Sequence, residues 1–362
     1  MMKVLEQTVK MIGGLDRGAM KEAGERLDRL IKPPGSLGVL EDIAVQIAGI
    51  TGRPRPQPAD KAVIVMAGDH GVVEEGVSVA AQEVTAQMLP AFVSGVSGIG
   101  VLARHAGARL VVVDVGVAVP VNCPGVLPKK VRAGTANITL GPAMTLNEAV
   151  KAVETGIEVA LAEIEKGAGL LALGDMGIGN TTASSAVLAA IGRYDAADVT
   201  GRGTLVNDEV LWRKERAVRR ALEVNRPDPS DGLDVLAKVG GLEIGALAGV
   251  ILAAAARRVP VLLDGFITTA AALIAQKLAP QCRDFMIASH LSEERGHRLM
   301  LELLGLSPVI HLRMRLGEGT GAALAMPLVD AALKLLNEMA TFEEARVTLL
   351  DGEKILKENG GQ

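Results

Sequence analysis

The chain is poor in aromatic residues: its 362 positions hold one Trp (Trp212), one Tyr (Tyr194) and four Phe, 2% in all. Its core must be filled by Ala, Val, Leu, Ile and Met, so a flat ligand would lie mostly between aliphatic side chains and glycine backbone. The stacking platforms that single-stranded nucleic acid needs are missing too. An excess of one charge is also lacking. Lys and Arg total 38 against 42 Asp and Glu, a net charge of -4, which gives no field to hold a nucleic-acid backbone or an anionic membrane. The two cysteines, Cys123 and Cys282, are too few and too isolated for a disulfide framework or a thiolate metal cluster, and both read as structural. The longest apolar run, Ile244 to Ala256, falls short of the roughly 20 residues a spanning helix needs. The N-terminal MMKVLEQTVKMIGG carries charges inside its apolar stretch and lacks the hydrophobic segment of a secretory signal. Together these features argue against nucleic-acid and membrane partners, and lead us to expect a cytoplasmic protein with a small-molecule ligand.

What is present is a recurring pattern. Short apolar runs start at Lys61 (KAVIVMAGDHG), Ala108 (ARLVVVDVGV), Gly169 (GLLALGDMGIGN), Val259 (VPVLLDGFITT), Cys282 (CRDFMIASHLS) and Ser307 (SPVIHLRMRLGEG). Each has the length of a strand buried on both faces, and Ala/Leu-rich segments with helical spacing lie between most of them. The expectation is an α/β fold with a Rossmann-like parallel sheet of about six strands. Most runs finish in a polar, glycine-punctuated tail, and in open sheets of this kind ligands bind beyond the carboxyl ends of the strands. At the chain ends, Leu40, Ile43, Ala44 and Ile47 share a helical face, as do Leu328, Ala331, Ala332, Leu335, Leu336 and Met339. Residues 1–60 plus 329–362 therefore read as a small helical domain built from both termini, and 61–328 as the large substrate-binding and catalytic domain. GRPRPQPAD (52–60) reads as the linker and NRPDPSDG (225–232) as a surface loop.

Several stretches could carry chemistry. GDMGIGNTT, from Gly174, follows a strand and opens an Ala-rich helix, so close backbone approach, free N–H groups and the helix dipole would favour an anion there. An ordinary capped helix is the bland alternative. Asn180 stands where a Walker A loop needs Lys, and the third glycine of a dinucleotide fingerprint is absent, which disfavours ATP and NAD. His70 follows Asp69 at a strand end, and a lone histidine is more often structural than a base or ligand. His290 and His297 lack metal-site spacing, so no metal is expected. Lys214 sits in an arginine-rich helix, where a solvated face is the default. Glu318 is a single carboxylate between Gly317 and Gly319, either a solvated turn residue or a carboxylate presented to something small.

Taken together, KPPGSLGVLEDIA, MAGDHGVVEEGVS with QEVTAQML, RAGTANITLGPAMT, GDMGIGNTT, GRGT, DGFITTAAAL, SHLSEERGH and RLGEGTGAALA resemble, in order and over nearly the whole chain, the motifs of the nicotinate-nucleotide–dimethylbenzimidazole phosphoribosyltransferase family of the cobalamin lower-ligand pathway. The resemblance implies a homodimer without a cofactor that converts nicotinate mononucleotide and 5,6-dimethylbenzimidazole into α-ribazole 5′-phosphate and nicotinate. It implies Glu318 as general base, with Asp175 as a second carboxylate near the ribose where the family commonly has Glu. Gly177, Gly179, Asn180 and Thr181 match the phosphate loop and Lys214 its lysine. Asp264 and Ser289 match the nucleotide side, and Ser78, Gln82 and Leu316 the pocket for the base. The chain departs from the family at Val79, Ala80 and Ala81, where an aromatic and a proline are common, and at Leu205 and Asn207, where Gly and Asp are expected. The departures keep two alternatives open, a related enzyme for other bases such as adenine or phenols, and a silent subunit of a heterodimer.

Overall fold

The apolar runs assemble into one six-stranded parallel sheet, β1 (Asp60–Gly68), β2 (Ala108–Gly116), β3 (Val126–Pro128), β4 (Ala168–Met176), β5 (Val261–Leu263) and β6 (Met286–Ala288), in the spatial order β3-β2-β1-β4-β5-β6. The computed structural model describes residues 3–202 and 207–348; Leu205 and residues 349–362 lie outside them. The strand order is that of doubly wound α/β sheets, with the direction of winding reversing between β1 and β4. Both neighbours of β1 are in register with it, Met66 facing Val113 on β2 and Asp175 on β4. Residues 62–68 are all buried, which is why the run shows no alternation: helices cover both faces.

Sheet membership differs from expectation in two places. The run from Ser307 forms no strand; only Ile310 bridges to His290 in parallel, while His311, Leu312 and Arg313 are exposed. Pro308 removes a ladder donor, and the interleaved His and Arg suit solvent rather than a two-sided interior. In its place stands β3, three residues at the opposite edge, bounded by Pro124 and Pro128 and too short to register as a periodic run.

The most buried helix is Leu242–Ala256, in which every residue up to Ala255 is inside. It crosses the helix Leu146–Glu165 with backbones nearly touching, because a Cβ at Gly156 would fall on the Ala246 carbonyl and one at Gly249 on the Val153 carbonyl. A capping box starts Leu146–Glu165, Thr145 Oγ1 accepting from the Glu148 N–H at 3.2 Å and Glu148 Oε2 from the Thr145 N–H at 2.8 Å. Asn207, an expected Asp, caps Asp208–Asn225 through the Val210 N–H. Either residue type fills that role. By length and hydropathy Glu83–His105 would suffice to cross a bilayer, but it is two helices, Glu83–Val93 and Gly98–His105, parted at Ser94–Ser97.

The chain divides into two compact units, 1–14 with 59–327 and 15–58 with 328–362. This corrects the expected boundaries at the N-terminus. The helix Lys3–Met11 belongs to the larger unit because it buries Leu5 and Thr8 there, with the Leu5 N–H donating to Glu154 at 3.3 Å and Arg258 to the Gly14 carbonyl at 3.1 Å. In the smaller unit the two chain ends interlock: Arg26 donates to the Leu336 and Met339 carbonyls, and Asn337 to Pro56. KPPGSLG is a turn there, with Lys32 paired to Glu41 at 2.8 Å.

Candidate active site

At the switch point between β1 and β4 the strand ends surround a cavity of about 350 Å³. Asp175, Met176 and Gly177 reach it from β4, Asn180 and Thr181 from the helix that follows, and Val84 and Met88 from Glu83–Val93. His290, Ser292 and Glu294 line it after β6, and Arg315 to Glu318 close it.

The glycine loop is built for close approach. A Cβ at Gly177 would land on the Gly68 carbonyl, and Gly179 has φ +95, a conformation that favours glycine. The helix Asn180–Gly192 starts here; its Thr182 N–H returns to the Gly179 carbonyl, whereas the Thr181 N–H has no backbone acceptor among the described residues. The Asn180 side chain donates to Asp175 Oδ2 at 2.9 Å. Lys214 is 1% exposed and forms no part of the cavity wall. Its Nζ donates to Thr181 Oγ1 and the Gly201 carbonyl, both at 3.0 Å, so its position is behind Thr181. Burial holds its pKa below the usual lysine range, partly offset by the Glu294 charge.

Glu318 faces the cavity from a turn of three consecutive left-handed residues, Gly317 (φ 78), Glu318 (φ 62) and Gly319 (φ 96). Its Oε2 accepts from the Ile99 N–H at 3.1 Å, at the start of Gly98–His105. The residue is 8% exposed, and burial raises its pKa while the Ile99 N–H opposes the rise. The neighbouring glycines have a different reason from ligand access. Strand β4 runs directly under the turn, where a Cβ at Gly174 would strike the Glu318 carbonyl and one at Gly319 would stand 3.1 Å from the Gly174 Cα.

Asp175 lines the same cavity as Glu318 and is 6% exposed. Its pKa is raised well above the usual range by burial first, then by the charges of Asp264 and Glu243, with Glu318 adding a smaller push and Asn180 pulling the other way. Behind it His70 Nε2 and Glu243 Oε1 meet at 2.7 Å, both buried. Glu243 carried no sequence signal, since it reads as one polar residue opening an apolar helix. Among the described residues no group of three His, Cys, Asp or Glu side chains could hold a metal ion.

Several expected contacts lie off the wall. Asp264 is 1% exposed and Ser289 0%; Asp264 accepts from backbone N–H groups, and Ser289 donates to the Asp264 carbonyl at 3.2 Å. The Ser78 hydroxyl closes a turn with Ala80, and Gln82 donates to the His70 carbonyl. Ala80, Val84 and Met88 form that wall in their place. Among the described residues, Ala80 is the one departure that reaches the cavity, while Val79 is 61% exposed. Leu316 is on the wall as expected; Met88, Met176, His290 and Glu294 were not foreseen there, since nothing in an apolar or charged run shows which residue faces inward.

A family model described as phosphoribosyltransferase matches residues 12–347. The chain belongs to this phosphoribosyltransferase family. Proteins named nicotinate-nucleotide–dimethylbenzimidazole phosphoribosyltransferase are similar throughout: that of Desulforamulus reducens is 54% identical over 349 residues, 96% of this chain and 99% of that protein, and that of Desulforudis audaxviator 56% over 348 residues, with shares of 96% and 99%. A crystal structure of the so-named protein from Thermus thermophilus superposes with a TM-score of 0.88 at 48% identity, covering 93% of this chain and 100% of that one. The phosphoribosyltransferase fold is thus shared over nearly the full length.

Proposed function

We propose that the chain transfers the phosphoribosyl group of nicotinate mononucleotide to 5,6-dimethylbenzimidazole, releasing nicotinate, with Glu318 as general base. The names of the relatives support the substrates. The observation that carries the base assignment is the Glu318 carboxylate, buried with a raised pKa on the wall of a cavity that a glycine loop suited to a phosphate also lines.

The chemistry asks little else of the protein. The glycosidic bond between the anomeric carbon and the pyridinium nitrogen breaks with its electron pair going to nicotinate, which is a cation before departure and needs no proton. One ring nitrogen of the benzimidazole forms the new bond while the other loses its proton to Glu318. General-base help of this kind is worth about 10²–10⁴-fold, and the raised pKa makes Glu318 a better acceptor as long as it is ionised. The phosphate is read against Gly177, Gly179 and the Thr181 N–H, with Lys214 fixing the Thr181 hydroxyl. Asp175 stands near the ribose. The departures at Val79 and Ala81 are outside the cavity, so they supply no support for a silent subunit. We read the protein as a cytoplasmic homodimer, on the family resemblance, with no cofactor.

The test is product formation from nicotinate mononucleotide and dimethylbenzimidazole, followed by chromatography. Glu318→Gln should lose about 10²–10⁴-fold in kcat and keep its affinity for the nucleotide. Wild-type turnover by this variant would remove Glu318 from the reaction.

A further inference from the structure

The Asp264 carboxylate is aimed into the backbone that carries Glu318. Asp264 follows β5, and its Oδ2 accepts from the Gly319 N–H at 3.2 Å, while its Oδ1 accepts from the N–H groups of Gly321 at 2.6 Å and Ala322 at 3.0 Å. These donors belong to the Glu318 turn and the first turn of the helix Thr320–Glu338. Gly319 precedes that helix and has no side chain to cap it, so a carboxylate from another strand does the capping.

We propose that Asp264 is a positioning residue for the transfer reaction, its ionised carboxylate fixing the Gly317–Glu318–Gly319 turn so that the Glu318 carboxylate stays on the cavity wall. The inference rests on Glu318 being the base. A left-handed non-glycine residue costs about 1–3 kcal/mol and persists only where its surroundings hold it. Here β4 supports the turn from below and Asp264 from the side. A neutral carboxyl holds the three donors less strongly, because protonation makes one oxygen a donor and removes the charge that the N–H groups face.

The surroundings of Asp264, burial foremost, make that protonation accessible. Asp175 faces the cluster from β4, Glu243 from Leu242–Ala256, Glu318 from the turn itself, and His290 Nε2 stands 3.8 Å from Oδ1 after β6. Burial pushes Asp264 up to about 7 despite its three N–H donors, and the Glu318 charge adds to the push. Acidification through that range protonates Asp264 and loosens its hold on the turn.

The experiment is the pH profile of kcat and KM for the full-length enzyme and Asp264→Asn. The expected result is a kcat lower by about 10–100-fold, the effect of displacing a catalytic group by up to an ångström, with KM for nicotinate mononucleotide within about 3-fold of wild type. The acid limb of the profile should also move to lower pH, because the group whose protonation loosens the turn is gone. An unchanged kcat, an unmoved acid limb, or an equal loss in nucleotide affinity would overturn the proposal. If Asp264→Asn does not fold, Asp264→Glu is read the same way: it keeps the charge, so kcat should fall with the acid limb in place, and wild-type kcat overturns the idea. Glu318→Gln measured alongside separates the two readings. Full activity there removes the base; an inactive Glu318→Gln beside an unaffected Asp264→Asn removes only the anchor.

Discussion

Asp264 and His297 pull stability in opposite directions between pH of about 3 and about 7. A carboxyl whose folded pKa is raised binds its proton more tightly in the native state, so its contribution is full below the unfolded value and is lost as pH rises through the folded one. For Asp264 that window runs from 3.8 to about 7. His297 is pushed down to about 3, by burial first and then by His290. Its Nδ1 accepts from the Ser292 N–H at 2.9 Å, and its Nε2 meets Thr269 Oγ1 at 3.0 Å. That pair of contacts suits the neutral ring, so its stabilisation is present above 6.5 and is lost as pH falls toward 3. Each is worth at most about 1.4 kcal/mol per pH unit of its window. Urea unfolding across this range should show the decline toward alkali flattened in Asp264→Asn and the decline toward acid flattened in His297→Gln. Wild-type slopes in both variants would contradict these assignments.

At the scale of elements, two close approaches of backbone have different consequences. Gly249→Ala forces a Cβ onto the Val153 carbonyl between two buried helices. It should cost about 1–3 kcal/mol of unfolding free energy and leave kcat unchanged. Gly174→Ala places its Cβ against the Glu318 carbonyl, so it should lower kcat by about 10-fold or more through misplacement of the base. Steady-state kinetics and urea titration on both variants check the contrast; equal kinetic effects would mean that the turn over β4 is not specially placed. This difference also marks where sequence reading stops. The cores of β1, β2 and β4 were legible because both faces are buried and the runs are nine residues each. The edge was not: β3 is three residues long, and the run at Ser307 has strand-like composition but no buried residue from 307 to 313. At the site, Glu318, Asp175 and the Gly177–Thr181 loop follow from their motifs. The placement of Asp264 and Lys214 behind the wall depends on which backbone groups face them, and no periodicity carries that information.

For the whole molecule, scarcity of aromatics reaches the candidate ligand cavity, where Phe266 stands among mostly aliphatic lining side chains such as Ala80, Val84, Met88, Met176, Ile178, Ile267 and Leu316. Aliphatic contacts discriminate weakly, about 1–3 kcal/mol for each methyl or methylene gained or lost. The preference for dimethylbenzimidazole over unsubstituted benzimidazole should therefore be shallow, within about 200-fold in kcat/KM, with phenols slow because they offer no second ring nitrogen. Competition between acceptors measures this, and a strong preference for p-cresol would contradict it.

The left-handed Glu318 gives the protein a liability under selection. With φ 62 between two glycines, this position favours a third glycine, and Glu318→Gly should raise resistance to heat by relieving about 1 kcal/mol or more of backbone strain along with a buried charge. It would also remove the proposed general base, so turnover should fall with it. A library screened for thermal survival without an activity assay should therefore enrich sequences at this codon that lack the proposed base.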